Sequence, residues 1–126
     1  MTTRAKDAGT ASTGEVARHW GVCCDSVRAV LRAAGAEPVR RGLWRWRDVW
    51  RAEGSPHVPA VDWPDFKRPL MDAQACAAAD REAGRRRRSE RSWRRHIQTR
   101  KLPIVELAPG LRRVRPMDYE AHADAL

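Results

Sequence analysis

The sequence is poor in cysteine, in lysine and in every aromatic residue except tryptophan. Cys23, Cys24 and Cys76 form no even set for a disulfide framework. Cys23 and Cys24 are adjacent, which is poor spacing for two ligands of one metal, and no Cys/His pair at finger spacing follows, so no zinc centre is expected. His19, His57, His96 and His122 are scattered and suggest neither metal nor catalysis. No Ser/His/Asp arrangement, phosphate-cradling glycine loop or paired-carboxylate cluster stands out, so neither an enzyme nor a cofactor is expected. There is no signal-peptide pattern and no apolar run approaching the roughly 20 residues that span a bilayer, so no membrane partner is expected.

What is present is positive charge carried by arginine. The chain has 22 Arg against 3 Lys and a formal net charge of +9 over 126 residues. Arginine grips phosphates, and the O6/N7 edge of guanine, through two parallel hydrogen bonds, so the bias favours nucleic acid over a merely solvated surface. Hydrophobic residues make up 42%, enough to fold, around small cores.

The chain repeats itself loosely. Residues 1–12 are small and polar and read as a disordered lead-in. Residues 55–69 hold Pro56, Pro59, Pro64 and Pro69 and read as a linker, with Trp63 and Phe66 available to pack it onto a module. On one side, Thr13-Gly14-Glu15-Val16-Ala17 offers a cap at Thr13 and a helix that Gly21-Val22 ends. A second helix over residues 25–34 follows, with Val27, Val30, Leu31 and Ala34 on one face and Arg28 and Arg32 on the other. On the other side, Asp72 caps the copy's first helix, and Ser92-Trp93-Arg94-Arg95-His96-Ile97 matches Ser26-Val27-Arg28-Ala29-Val30-Leu31. A hexamer that opens on glycine closes each copy, Gly42-Leu43-Trp44-Arg45-Trp46-Arg47 and Gly110-Leu111-Arg112-Arg113-Val114-Arg115, and reads as part of a small hairpin. Trp20, Trp44, Trp46, Trp50 and Trp93 fall at core-facing positions.

Two short helices joined by a tight turn, with arginines outward on the second and a hairpin beyond, form a helix-turn-helix pattern. Thr13-x-Glu15-Val16-Ala17, Gly21-Val22, Ser26-Val27-Arg28 and the stretch 41–48 resemble the winged helix-turn-helix of the MerR and phage excisionase group. The resemblance covers residues 13–54 and, more weakly, 72–121. It departs at the head of the second helix, where Cys23 stands in place of the family's common Ser, which Ser89 supplies in the second copy.

The expected fold is mainly α with small β wings: a first module over 13–54 and a second, divergent one over 70–126. The resemblance implies a small phage or mobile-element transcriptional regulator, or an excisionase-like factor, that binds double-stranded DNA. Its second helices would lie in the major groove and its wings on the backbone or minor groove. An integrase or RNA polymerase is the candidate protein partner, and the expected location is the cytoplasm, on the nucleoid. The alternative is an RNA-binding or protein-interaction module that uses the fold as a scaffold.

In the first module the candidate DNA-binding residues are Asp25, Ser26, Arg28 and Arg32 on the second helix, with Arg41 and Arg45 on the wing. In the second they are Arg91, Ser92, Arg94, Arg95 and Gln98, with Arg112, Arg113 and Arg115 on the wing. Gln98 matches adenine and an arginine matches guanine. Arg85, Arg86, Arg87 and Arg88, four like charges in the longer turn, suit phosphate contact. They lead to the expectation that the second module holds the backbone more strongly.

Overall fold

The computed structural model describes residues 7–85 and 88–125. The chain divides into two compact units at the Lys67–Arg68 junction, and it is mainly helical with two small antiparallel sheets.

The first unit runs β1 (Thr10–Ser12), α1 (Thr13–Trp20), α2 (Cys24–Ala33), β2 (Leu43–Arg45) and α3 (Trp46–Ala52), then a 3₁₀ turn (Ala60–Asp62) and α4 (Trp63–Phe66). The cap of α1 is Ser12 rather than Thr13. Its hydroxyl accepts from the Glu15 amide at 3.0 Å while the Glu15 carboxylate accepts from the Ser12 amide at 2.8 Å. This reciprocal box needs the acid three residues beyond the cap, which is where Glu15 stands relative to Ser12. Thr13 turns inward instead, and its hydroxyl accepts from Trp44 Nε1 at 2.9 Å. Gly21 ends α1 in the left-handed region (φ 68°), and its amide returns to the Ala17 carbonyl.

Residues 10–12, expected within a disordered lead-in, are a strand: Thr10, Ala11 and Ser12 pair with Arg45, Trp44 and Leu43, and Ala11 is fully buried. Residues 1–6 of that lead-in lie outside the described residues. Because β2 is paired with β1, the first hairpin shrinks to a turn in which Leu43 N donates to the Arg40 carbonyl and Val39 N to that of Leu43.

The core of the first unit gathers Val16, Trp20, Val27, Leu31, Trp44, Val49 and Trp50, all nearly inaccessible. Buried Glu53 accepts from Trp20 Nε1 at 2.7 Å and lies 2.9 Å from His19 Nε2. The proline-rich segment is no free linker up to Phe66. Trp50 Nε1 donates to the Phe66 carbonyl, the two rings meet edge to face, and Trp63 Nε1 donates to the Val58 carbonyl. The two aromatics fold the segment back, and Pro64 sits in the first turn of α4, where a missing amide costs no helical bond.

The second unit runs α5 (Ala73–Glu82), α6 (Glu90–Gln98), β3 (Val105–Ala108), β4 (Leu111–Arg113) and α7 (Pro116–Asp124). Asp72 caps α5 by accepting from the Ala75 amide, and Ser89 caps α6 by accepting from that of Ser92. β3 and β4 form a true hairpin, irregular between Glu106 and Ala108, with Gly110 at positive φ in its turn. Cys76, Ala77, Trp93, Ile97, Leu102, Val114 and Tyr119 make the core. At its centre Asp80, fully buried, accepts from Tyr119 Oη at 2.7 Å, Trp93 Nε1 at 2.9 Å and Arg88 Nε at 3.3 Å.

The strand register corrects the alignment of the two hexamers. Trp44 lies opposite Ala11, the residue before the α1 cap, and Val114 bridges Met71, the residue before the α5 cap. Trp44 and Val114 are therefore counterparts, whereas matching Gly42 to Gly110 sets Trp44 against Arg112. The final helix caps at Arg45, the third residue after Gly42, but at Arg115, the fifth after Gly110. The shared glycine marks two turns of different length.

Candidate nucleic-acid interface

The α2 helix buries Val27, Val30 and Leu31 and leaves Asp25, Arg28 and Arg32 exposed, with Ser26 half-buried. Apolar residues at i, i+3 and i+4 fix which face turns inward, so the arginines are outward by default. The α6 helix does the same: Trp93 and Ile97 are buried, Arg91, Arg94, Arg95 and Gln98 are exposed, and Ser92 is half-buried. Both helices start from an extended cap residue, Cys23 and Ser89. Counted from those caps, Ser26 and Ser92 stand at the third helical position and Arg28 and Arg94 at the fifth. Cys23 makes no side-chain cap bond to the backbone. Its sulfur lies 3.2 Å from the Ser26 hydroxyl, and the hydrogen bond with that hydroxyl is the chief cause that holds the thiol below its ordinary pKa.

Among the described residues Arg32, Arg41, Arg45, Arg91 and Arg95 are exposed and form no ion pair. Arg28 and Arg94 are each held by a first-turn carboxylate on the same helix. Arg28 Nη1 donates to Asp25 at 2.8 Å and Arg94 Nη2 to Glu90 at 2.6 Å.

The second-unit arginines expected on phosphates are largely engaged inside the fold. Arg88 sits 4.4 Å above the Trp93 ring centre with its guanidinium on buried Asp80, its side chain only 13% exposed. Arg85 donates to Tyr119 Oη and to Asp124. Arg115 is buried, and half-buried Arg113 donates to the Arg112 carbonyl. Arg112 donates to Glu106, which Arg100 also approaches. Of these arginines Arg88 meets a buried carboxylate, which a small core must neutralise, whereas Arg85 and Arg112 pair with exposed acids. Arg86 and Arg87 lie outside the described residues.

A groove of about 410 Å³ lies between the start of α5, α6 and the β3–β4 turn, with Asp72, Gln74, Glu90, Arg94, Gln98 and Arg112 on its walls. A larger cavity of about 600 Å³ in the first unit lies between α3 and residues 56–63, and none of its lining belongs to α2 or to the Arg40–Leu43 turn. No family model, curated protein or solved structure matches the chain. No group of three or more His, Cys, Asp or Glu among the described residues is placed to hold a metal, and no described helix is long and apolar enough to cross a membrane.

Sequence reasoning missed the burial of Glu53 and Asp80 beneath indole donors and the His96–His122 contact at 3.3 Å. Burial of a carboxylate has no local sequence signal. The signal that could have found them is the number of indole donors, since each buried Trp needs an acceptor.

Proposed function

We propose that the chain binds double-stranded DNA sequence-specifically through two tandem winged helix-turn-helix modules, with α2 and α6 as the recognition helices. The observation that carries this reading is that both helices bury one apolar face and leave arginines exposed around the rest, with an exposed arginine at the fifth helical position of each, Arg28 and Arg94. Exposed, unpaired arginines flank them: Arg32 with Arg41 and Arg45 in one unit, Arg91 and Arg95 in the other. An exposed cation on a helix that a groove admits is what phosphate and base contact require. The amides at the start of each helix add donors for a phosphate.

Unpaired guanidinia are the ones free to release counterions, so among the described residues the backbone grip is assigned to Arg32, Arg41 and Arg45 in the first unit and to Arg91 and Arg95 in the second. A small phage or mobile-element regulator or an excisionase-like recombination factor fits this arrangement, with RNA polymerase or an integrase as its protein partner. A tandem pair does within one chain what a dimer of single modules does with two.

The test is competition among duplex DNA, single-stranded DNA and structured RNA for the full chain at physiological salt. The reading expects duplex to win and one duplex sequence to be enriched from a random pool. Equal binding to all three would reduce the protein to a polyanion binder, and preference for RNA would favour the scaffold alternative. Bending of the enriched duplex would favour the recombination role over simple repression.

A further inference from the structure

We infer that Arg28 and Arg94 are guanine-reading residues whose aim is set by Asp25 and Glu90, an inference that rests on the DNA-binding reading above. Both arginines stand at the same helical position, and in both units the carboxylate comes from the first turn of the same helix. The acids reach it from different positions, the second in α2 and the first in α6, so the Arg–carboxylate contact is reached by two routes.

Such pairs do little for stability. The side chains of Arg28 and Asp25 are 45% and 94% exposed, and ion pairs in water are worth little. Their effect is on where the guanidinium points. One N–H edge is taken by the carboxylate, and the remaining donors form a fork for two acceptors. The carboxylate also repels a phosphate, so a tethered arginine is a poor backbone clamp. Guanine O6 and N7 offer two neutral acceptors side by side, and a carboxylate beside them matches the amino group of cytosine.

The groove of the second unit has the same mixed character. Two carboxylates (Asp72, Glu90), two amides (Gln74, Gln98) and two guanidinia (Arg94, Arg112) line it. This set of donors and acceptors suits a base edge, whereas a phosphate would face two negative charges. Gln98 lies one helical turn beyond Arg94, so the two address neighbouring base pairs. The untethered arginines, Arg32, Arg41, Arg45, Arg91 and Arg95, are left for phosphate. The substrate class is thus a duplex with a G·C pair in each half-site, read from the major groove.

The experiment takes the duplex that the full chain enriches from a random pool and replaces its guanines one at a time by 7-deazaguanine, which lacks the N7 acceptor. One guanine per half-site is expected to lose about tenfold in affinity. Arg94→Lys, which keeps the charge and loses the fork, should abolish the effect in one half-site. Glu90→Gln should lower the ratio of enriched to scrambled duplex binding about tenfold while binding to scrambled duplex rises. Enrichment without any 7-deazaguanine effect, or an Arg94→Lys or Glu90→Gln variant with an unchanged ratio, would overturn the inference and leave specific binding intact. Failure to enrich any duplex would overturn the parent reading and this one with it.

Discussion

Asp80 gathers three donors at the centre of the second unit. Burial alone would raise its carboxyl pKa, but the hydrogen bonds from Tyr119, Trp93 and Arg88 outweigh burial and hold it below the usual carboxylate range. Tyr119 shows the other side of the contact: burial and the bond to Asp80 push its hydroxyl up to about 12. Asp80→Ala would strand an indole N–H, a phenol and a guanidinium in the core, at a cost of about 3–5 kcal/mol. A core of this size supplies no more than about that. The expected outcome is selective loss of hydrogen-exchange protection in α5 and α6, with α1 and α2 unaffected. Protection that persisted in α5 would show that Asp80 is dispensable.

The same unit should also be weakened by mild acid. His96 and His122 are held below the ordinary histidine value, His96 by burial and then by the nearby charges of His122 and Arg88, His122 by burial and then by Arg88. Their unfolded forms therefore bind protons first as pH falls. The stability they contribute is complete above about pH 6.5 and is lost as pH drops through the folded values. Urea midpoints for the second unit should fall between pH 7.5 and 5.5, and the His96→Asn, His122→Asn double variant should remove most of that slope. Asp80 adds nothing in this window, because its contribution is lost only below about pH 4.

At the scale of elements, the two proposed recognition helices differ in how they begin. Ser89 satisfies the Ser92 amide, whereas Cys23 leaves the corresponding amide without a side-chain cap. Ser89→Ala should cost about 1 kcal/mol, and Cys23→Ser should raise the melting temperature of the first unit by a few degrees. Differential scanning of the two variants checks both, and a Cys23→Ser protein that melted no higher would mean that the sulfur already serves.

The helices were legible in the sequence for the reason that caps and periodicity are local. Val27, Val30 and Leu31 announce the buried face of α2, and Trp20, Trp44, Trp46, Trp50 and Trp93 are buried as their positions indicate. What was not legible is non-local. A three-residue strand such as Thr10–Ser12 has no period to detect, and its partner lies beyond two helices. The four identities in the two hexamers align two glycine turns of different length, while the true register is set by Ala11 against Trp44 and Met71 against Val114. The candidate interface divides the same way: exposure of Arg28, Arg32, Arg94 and Arg95 follows from helix periodicity, but nothing local to residues 85–88 reveals that Arg88 faces Asp80.

For the whole molecule, charge and interface are not the same quantity. The net charge of +9 describes attraction at a distance, but only guanidinia that are not committed elsewhere displace counterions when they meet a phosphate. Arg41 and Arg45 are exposed and unpaired, and Arg88 is spent on Asp80. Replacing Arg41 and Arg45 by alanine should leave stability unchanged and lower the slope of log K against log salt by about 2, roughly 0.9 for each phosphate no longer neutralised. Arg88→Ala removes the same formal charge per residue, yet it should leave the slope of the folded protein alone and cost about 3–5 kcal/mol of stability, because Asp80 would remain buried without its cation. Salt titrations of both variants, made where each is folded, separate the two outcomes. If Arg88→Ala lowered the slope and Arg41→Ala with Arg45→Ala did not, exposure and freedom from ion pairs would not mark the residues that grip the backbone.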